Sequence, residues 1–298
     1  MHDRMTMLGY RAAARVAQAL PESSLGSIGR VGGRIGGWPQ TARRQMAARH
    51  QRRVNGDAGR RAVDRVFEAY GRYWLEMFRL PHDVRAGVIS ENFVADGYDN
   101  ITGGLAFGHG VILALPHLGG WEWAAAWMAE QGHDMLAVVE ALDPPELLDW
   151  FARQREAMGL EVVPLGPDVS GRVLRALRDN RVVCLLSDRD LTGDGIEVEF
   201  FGERTTLPAG PATLSLRTGA ALLPTAVYFE PVRKHLAVIQ KPVPAVREGR
   251  LRDDIARITQ DLAHRLEELI RRAPEQWHLL QPNWPSDRGQ GKVGGDHR

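Results

Sequence analysis

Between Val111 and Gln240 the sequence alternates short, nearly continuous apolar runs with stretches of helical periodicity, and this alternation restricts the fold more than any other feature. The apolar runs are Val111–Leu115, Met135–Val139, Glu161–Pro164, Val182–Leu186, Ala221–Tyr228 and Leu236–Gln240. Helical stretches lie between or after them at Trp121–Glu130, Pro145–Met158, Asp168–Asp179, Pro211–Thr218 and Leu251–Arg271. A strand that is apolar along its whole length needs both faces covered, so the pattern predicts an α/β fold with a largely parallel central sheet and helices on both faces. Glu197–Phe201 reads as a strand or hairpin arm, because Ile196, Val198 and Phe200 alternate with Glu197 and Glu199. No internal repeat breaks the pattern, and 298 residues suit one such domain preceded by a helical element.

The N-terminal part has a different texture. On a helix, Met5, Leu8, Ala12, Val16, Ala19 and Leu20 gather on one face, with Arg4, Arg11 and Arg15 along its flank. Two placements suit such a stripe: packed on the domain, or lying in a lipid interface with the guanidinium groups raised towards anionic head groups. Gly26, Gly32, Gly33, Gly36 and Gly37 predict a loop or a broken helix. Over 57–80, Val63, Val66, Phe67, Tyr70, Trp74, Met77 and Phe78 recur at helical spacing, and Pro81 is expected to end that helix. The net charge of +1 conceals an asymmetry, because residues 1–60 carry eleven arginines and three acids, a balance of +8, leaving −7 for the remainder. A basic docking region over 1–56, an α/β domain over 57–285 and a disordered tail over 286–298 follow as the expected organisation. The +1 total does not suggest a nucleic-acid coat. The lone Cys184 points to a reducing compartment, and neither a secretory signal nor a spanning segment is expected.

The stretch richest in chemistry is Val111-Ile-Leu-Ala-Leu-Pro-His117-Leu-Gly-Gly-Trp-Glu122-Trp. A buried strand ends at Leu115, a histidine follows, and a helix starts near Gly120 or Trp121, the place where open α/β sheets bind ligands. From the first helical turn Glu122 could accept a bond from one imidazole nitrogen and leave the other free to take a proton. The plainer reading has His117 capping the helix and Glu122 solvated. Gly119 and Gly120 would admit a substrate close to the backbone, with N–H groups aimed at developing negative charge. Two further strands end in ionisable groups, Glu140 and Ser187-Asp188-Arg189-Asp190. No metal is expected, since neither H-E-x-x-H nor a cysteine pair is present. The glycines at 103, 104, 108 and 110 precede a strand instead of following one, there is no P-loop, and Ser187 and Ser215 lack a nucleophile elbow. Cys184 falls in mid-strand. A base without a protein nucleophile remains, and its simplest task is to activate a substrate hydroxyl.

The H-x-x-x-x-[DE] pattern after a buried strand resembles that of the lysophospholipid and glycerolipid acyltransferases. The wider layout is similar to their lipid A late acyltransferase branch, through Ser187-Asp188-Arg189-Asp190, Glu199-Phe-Phe-Gly202, Pro208-Ala-Gly-Pro211 and Pro274-Glu-Gln-Trp277. Within it, Asp188-Arg-Asp-Leu191 and Trp277-His-Leu-Leu-Gln-Pro282 resemble most the actinobacterial members that acylate phosphatidylinositol mannosides. The segment after Trp277 departs from the Trp and His-Arg-Arg run usual in the lipid A members.

The resemblance implies a long-chain acyl-CoA donor, palmitoyl, as co-substrate without any cofactor. It implies a mannose hydroxyl of a phosphatidylinositol mannoside as acceptor, at the cytoplasmic face of the inner membrane. His117 would be the general base, Glu122 its orienting acid, and Asp188 an acid close to the histidine. Arg155 and Glu140 would bind substrate, and Arg217 a CoA phosphate. Backbone N–H groups around Gly119, Gly120 and Trp121 would hold the oxyanion, and activity would rise with pH through about 6.5. Lipid A-type acyl transfer and a non-catalytic lipid-binding role on the same scaffold stand as alternatives.

Overall fold

The computed structural model describes residues 2–140, 145–231 and 234–288. Four helices come first: α1 (His2–Ala19), α2 (Glu22–Gly37), α3 (Thr41–Asn55) and α4 (Arg60–Ala86). The α/β body follows with β1 (Phe93–Asp96), α5 (Tyr98–Ala106), β2 (Val111–Leu115), α6 (Trp121–Glu130), β3 (Met135–Val139) and α7 (Pro145–Glu156). It continues with β4 (Leu160–Pro164), α8 (Val169–Arg178), β5 (Val182–Leu186), β6 (Ile196–Phe200) and β7 (Glu203–Leu207). The last elements are α9 (Gly210–Thr218), β8 (Ala221–Phe229), β9 (His235–Ile239) and α10 (Leu251–Arg272).

Seven strands form one sheet in the order β1-β9-β8-β2-β5-β3-β4, while β6 and β7 form a separate antiparallel hairpin. Every pairing in the large sheet is parallel except β8 with β9. Alternate residues of each strand feed opposite cores. Ile112 and Ala114 pack with α8, α9 and α10, whereas Val111, Leu113 and Leu115 pack with α4, α5 and α6. This is the doubly covered, largely parallel sheet that the apolar runs imply.

Three expectations for the N-terminal helices and the tail are corrected. The glycine-rich segment is the continuous helix α2, because its glycines serve packing. A Cβ on Gly33 would stand 2.0 Å from the Phe67 carbonyl oxygen, and one on Gly71 would stand 2.2 Å from that of Gly29. Hydrogen side chains let the backbones of α2 and α4 touch, and that close contact offsets the poor helix propensity of glycine. Helix α4 does not stop at Pro81. Proline costs it one internal hydrogen bond, but Arg79 and Asp83 pair across the position at 3.0 Å, and the helix runs to Ala86, where Gly87 caps it at φ +69°. Finally, the tail is ordered as far as Arg288, with Asp287 buried against His50 and Arg53; residues 289–298 lie outside the described ones.

The N-terminal stripe faces away from the body. Ala14 and Ala17 are buried, with Met7 and Tyr10 packed against Trp74 and Phe78, while Leu8, Ala12 and Val16 are exposed. The side chains of Arg4 and Met5 lie outside the described ones. Arg79 ties the C-terminal end of α1 by donating to the carbonyl oxygens of Ala17, Gln18 and Leu20, a cation at the negative end of a helix. Among the described residues, no helix is long and apolar enough to cross a membrane.

Candidate active site

Strand register builds the site. β2 and β5 are parallel neighbours with Leu115 opposite Leu186, so residues two beyond each strand end arrive side by side. Those residues are His117 and Asp188. The imidazole Nδ1 lies 2.6 Å from Asp188 Oδ1, and the His117 backbone N–H donates to Asp188 Oδ2 at 2.9 Å. Asp188 is fully buried, while the His117 side chain is 31% exposed and reaches a cavity. This geometry leaves Nε2 as the ring nitrogen free for a substrate proton.

The expectation that Glu122 orients the imidazole is therefore corrected. Glu122 sits in the first turn of α6 and points instead at α4 and α7, where its Oε1 accepts from Tyr73 Oη at 2.8 Å and from Arg155 Nη2 at 3.0 Å. A spacing of five residues across a strand-to-helix turn carries the carboxylate past the ring, while strand pairing brings an acid from 71 residues away. Burial, reinforced by the Glu122 charge, pushes the Tyr73 hydroxyl well above the usual phenol range, so it remains a donor.

Burial disfavours charge on His117, but the Asp188 carboxylate more than offsets this through its charge and hydrogen bond, and the imidazole pKa stands above the ordinary histidine value. Asp188 itself, although buried, is held below the usual carboxylate range by His117, by the Trp277 indole and by the His117 backbone N–H. His278 is a second imidazole close by, pushed down to about 3 by burial and by His117. It is neutral and stands 5.0 Å from the Tyr73 ring, centroid to centroid.

A segment following α10 closes the site from outside the sheet. Trp277 Nε1 donates to Asp188 Oδ2 at 2.7 Å, Asn283 Nδ2 to the Asp188 carbonyl oxygen at 2.9 Å, and the His278 N–H to the His117 carbonyl oxygen at 2.9 Å. The expected oxyanion role of Gly119 is corrected here as well, because its N–H donates to the Gln276 carbonyl oxygen at 3.1 Å. Gly119 has φ +61°, and a Cβ there would stand 1.7 Å from the Val227 carbonyl oxygen, so its demand for glycine is structural. Gly120 precedes Trp121, the first residue of α6, and a helix N-terminus carries N–H groups without intrahelical acceptors.

The cavity beside His117 has a volume of about 600 Å³, within the range of small-molecule sites. Tyr73, Trp74, Met77 and Phe151 form one wall, and Val173, Leu174 and Leu214 form another. Its polar margin holds Arg155, Glu140, Arg189 and Arg217. Glu140 is exposed and pairs with Arg189 at 3.6 Å. Arg217 is exposed, has no ion pair among the described residues, and also borders a smaller recess with His109 and Arg178. Asp190 binds its own loop, accepting from the N–H groups of Thr192, Gly193 and Gly195. Cys184 is buried in β5 and its thiol is pushed up to about 12 by burial, so it is no nucleophile.

Residues 3–286 match the model of the bacterial lipid A biosynthesis acyltransferase family. The chain belongs to this family. It is 39% identical over 296 residues to a phosphatidylinositol mannoside acyltransferase of Mycobacterium tuberculosis, covering 95% of this chain and 90% of the relative. It is 38% identical over 294 residues to the protein of that name from Mycolicibacterium smegmatis, covering 95% and 93%. The resemblance seen in Pro274-Glu-Gln-Trp277 and the strand-end acids thus extends along nearly the whole chain. Tyr73 had no signal of its own in the sequence, whereas Arg189, Trp277 and His278 lay inside recognisable segments without a role.

Proposed function

We propose that this protein transfers a palmitoyl group from acyl-CoA to a mannose hydroxyl of a phosphatidylinositol mannoside, at the cytoplasmic face of the plasma membrane. The observation that carries this reading is the His117–Asp188 pair facing an apolar cavity; the names of the relatives supply the acceptor class. Neutral His117 takes the hydroxyl proton through Nε2 as the sugar oxygen attacks the thioester carbonyl. Asp188 steadies the imidazolium, and the N–H groups at the start of α6 face the developing oxyanion. Collapse of the tetrahedral intermediate breaks the C–S bond, and the imidazolium returns the proton to the departing thiolate. Base catalysis of this kind contributes about 10²–10⁴ in rate. Each methylene of the acyl chain placed in the cavity contributes about 0.8 kcal/mol to donor binding. Arg155 and Glu140 border the acceptor side, and Arg217 is the cation offered to a CoA phosphate.

The anionic membrane is the partner of the N-terminal layer. Trp38, 72% exposed, lies beyond Ile28, Val31 and Ile35 on the outer side of α2, near exposed Arg30 and Arg34; Leu8 and Val16 face outward from α1 with Arg11 and Arg15. Apolar side chains among cations suit an anionic interface. The cluster from Arg43 to Arg53 contributes less than its count implies. Arg44 is taken by Asp64, Arg49 donates to the Asp287 carbonyl oxygen, and Arg53 is taken by Glu203 and Asp287.

The test is release of CoA thiol from palmitoyl-CoA with and without a panel of phosphatidylinositol mannosides, with mass analysis of the products. Acceptor-dependent release and a palmitoylated mannoside are expected. A requirement for acyl-carrier protein would move the assignment to lipid A-type transfer, and donor binding without transfer would make the chain a lipid-binding protein.

A further inference from the structure

The segment Pro274-Glu-Gln-Trp277 is unused by the reaction as written, yet its tryptophan reaches the acid behind the base. Asp188 is fully buried and its two carboxylate oxygens have different surroundings. Among the described residues Oδ1 hydrogen-bonds only the imidazole, at 2.6 Å, whereas Oδ2 accepts from two N–H donors, the His117 backbone at 2.9 Å and the Trp277 indole at 2.7 Å. The indole is itself immobilised. It stacks on His50 at 5.2 Å between ring centroids, packs against Phe201 at 5.8 Å, and is buried. His50 is in turn fixed by the Leu279 carbonyl oxygen and by Asp287.

We infer that Trp277 is a positioning residue, whose indole N–H occupies Asp188 Oδ2 so that Oδ1 is presented to His117 Nδ1 and part of the carboxylate charge is drawn away from the imidazole. A hydrogen bond to a buried charged group is among the stronger ones, and the donor shares the charge it binds. Two consequences follow. The carboxylate is held against rotation, which fixes the ring with Nε2 towards the cavity. The histidine is also less basic than a lone buried aspartate would make it, so more of it is neutral and able to accept a proton near neutral pH. The other groups that bear on the imidazole charge are Arg189 and Glu140 at the adjacent strand ends and His278, next to Trp277 in the chain.

This inference rests on His117 being the base, and the experiment separates the two ideas. Site-specific replacement of Trp277 by 3-benzothienylalanine keeps both rings and puts sulfur in place of the N–H; Trp277→Phe serves as a second variant. The ring of His117 is titrated by NMR in the full-length protein, and kcat and KM for both substrates are measured alongside. The benzothienyl variant is expected to move the His117 titration to higher pH and to lower kcat about tenfold, with either KM changed less than twofold. A titration curve that superimposes on the native one, or that moves to lower pH, overturns the inference and leaves Trp277 a packing residue. If His117→Ala retains turnover while the His117 titration still answers to Trp277, the base assignment fails and the coupling stands.

Discussion

The strand ends of β2 and β5 and the first turn of α6 are made from similar materials and do different work. Both bury a carboxylate, Asp188 and Glu122, and both give it a nitrogen partner. At the strand ends the partner is an imidazole that can gain or lose its proton, and its second nitrogen reaches a cavity. At the helix start the partner is the Arg155 guanidinium, always charged, with the Tyr73 hydroxyl beside it. The first arrangement can move a proton, whereas the second carries a fixed cation and holds α4, α6 and α7 in register around the cavity. An acid close to a base in sequence is therefore a weak guide to which acid serves it.

The largest effect that separates the regions belongs to the imidazole. His117→Ala should lower turnover by about 10²–10⁴ or more while the far-ultraviolet dichroism stays native. Turnover within threefold of native would remove the strand ends from the chemistry. Next is Arg155→Met, which leaves Glu122 buried without its cation. Loss of one partner of a buried ion pair costs about 3–5 kcal/mol, read by denaturant unfolding. Stability unchanged in this variant would mean that the helix-start cluster is not structural.

Smaller effects concern pH. Because the His117 pKa is raised in the folded protein, the stability it contributes is fully present below the unfolded value of about 6.5 and is lost as pH rises through the folded value. Asp188, held low, contributes stability above its unfolded value that is lost as pH falls through the folded one. His278 has the opposite sign to His117. The unfolded chain binds a proton at about 6.5 that the folded chain refuses until about 3, so it costs stability across that window as pH falls. His278→Phe should accordingly lose less stability than the native protein between pH 7 and 4 in urea unfolding; an equal or larger loss would contradict its buried, neutral state. The acid limb of kcat should lie above the ordinary histidine value, not at it. The smallest effect is expected furthest from the chemistry. Replacing Ile35 and Trp38 by serine should weaken sedimentation with anionic vesicles several-fold at low salt without altering unfolding, since polar substitutions there touch no core.

How much of this was legible in the sequence differs between elements for physical reasons. Continuous apolar strands such as Val111–Leu115 and Val182–Leu186 carry their own boundaries, because burial on both faces demands an unbroken run. The four-residue edge strand Phe93–Asp96 has no such demand and left no pattern. Helix α2 was hidden because glycine ordinarily signals a break, and only the approach of α4 turns Gly29 and Gly33 into contacts. His117 was visible from its strand end. Asp188 entered only through the family resemblance, as an acid close to the histidine, because the match of Leu115 with Leu186 that makes it the partner depends on strand order, which no local spacing encodes. Tyr73 drew no expectation and Arg155 was expected at the substrate; that both bond Glu122 depends on how α4, α6 and α7 pack, which no local pattern encodes.

The division between the two carboxylates can be decided by titrating the His117 ring by NMR in Asp188→Asn and Glu122→Gln, each compared with the native protein. Removing the charge at Asp188 should leave burial unopposed and carry the imidazole titration below its native position, while Glu122→Gln should leave it unmoved. A titration that responds to Glu122 and ignores Asp188 would place the orienting acid at the helix start and overturn the assignment made from strand register.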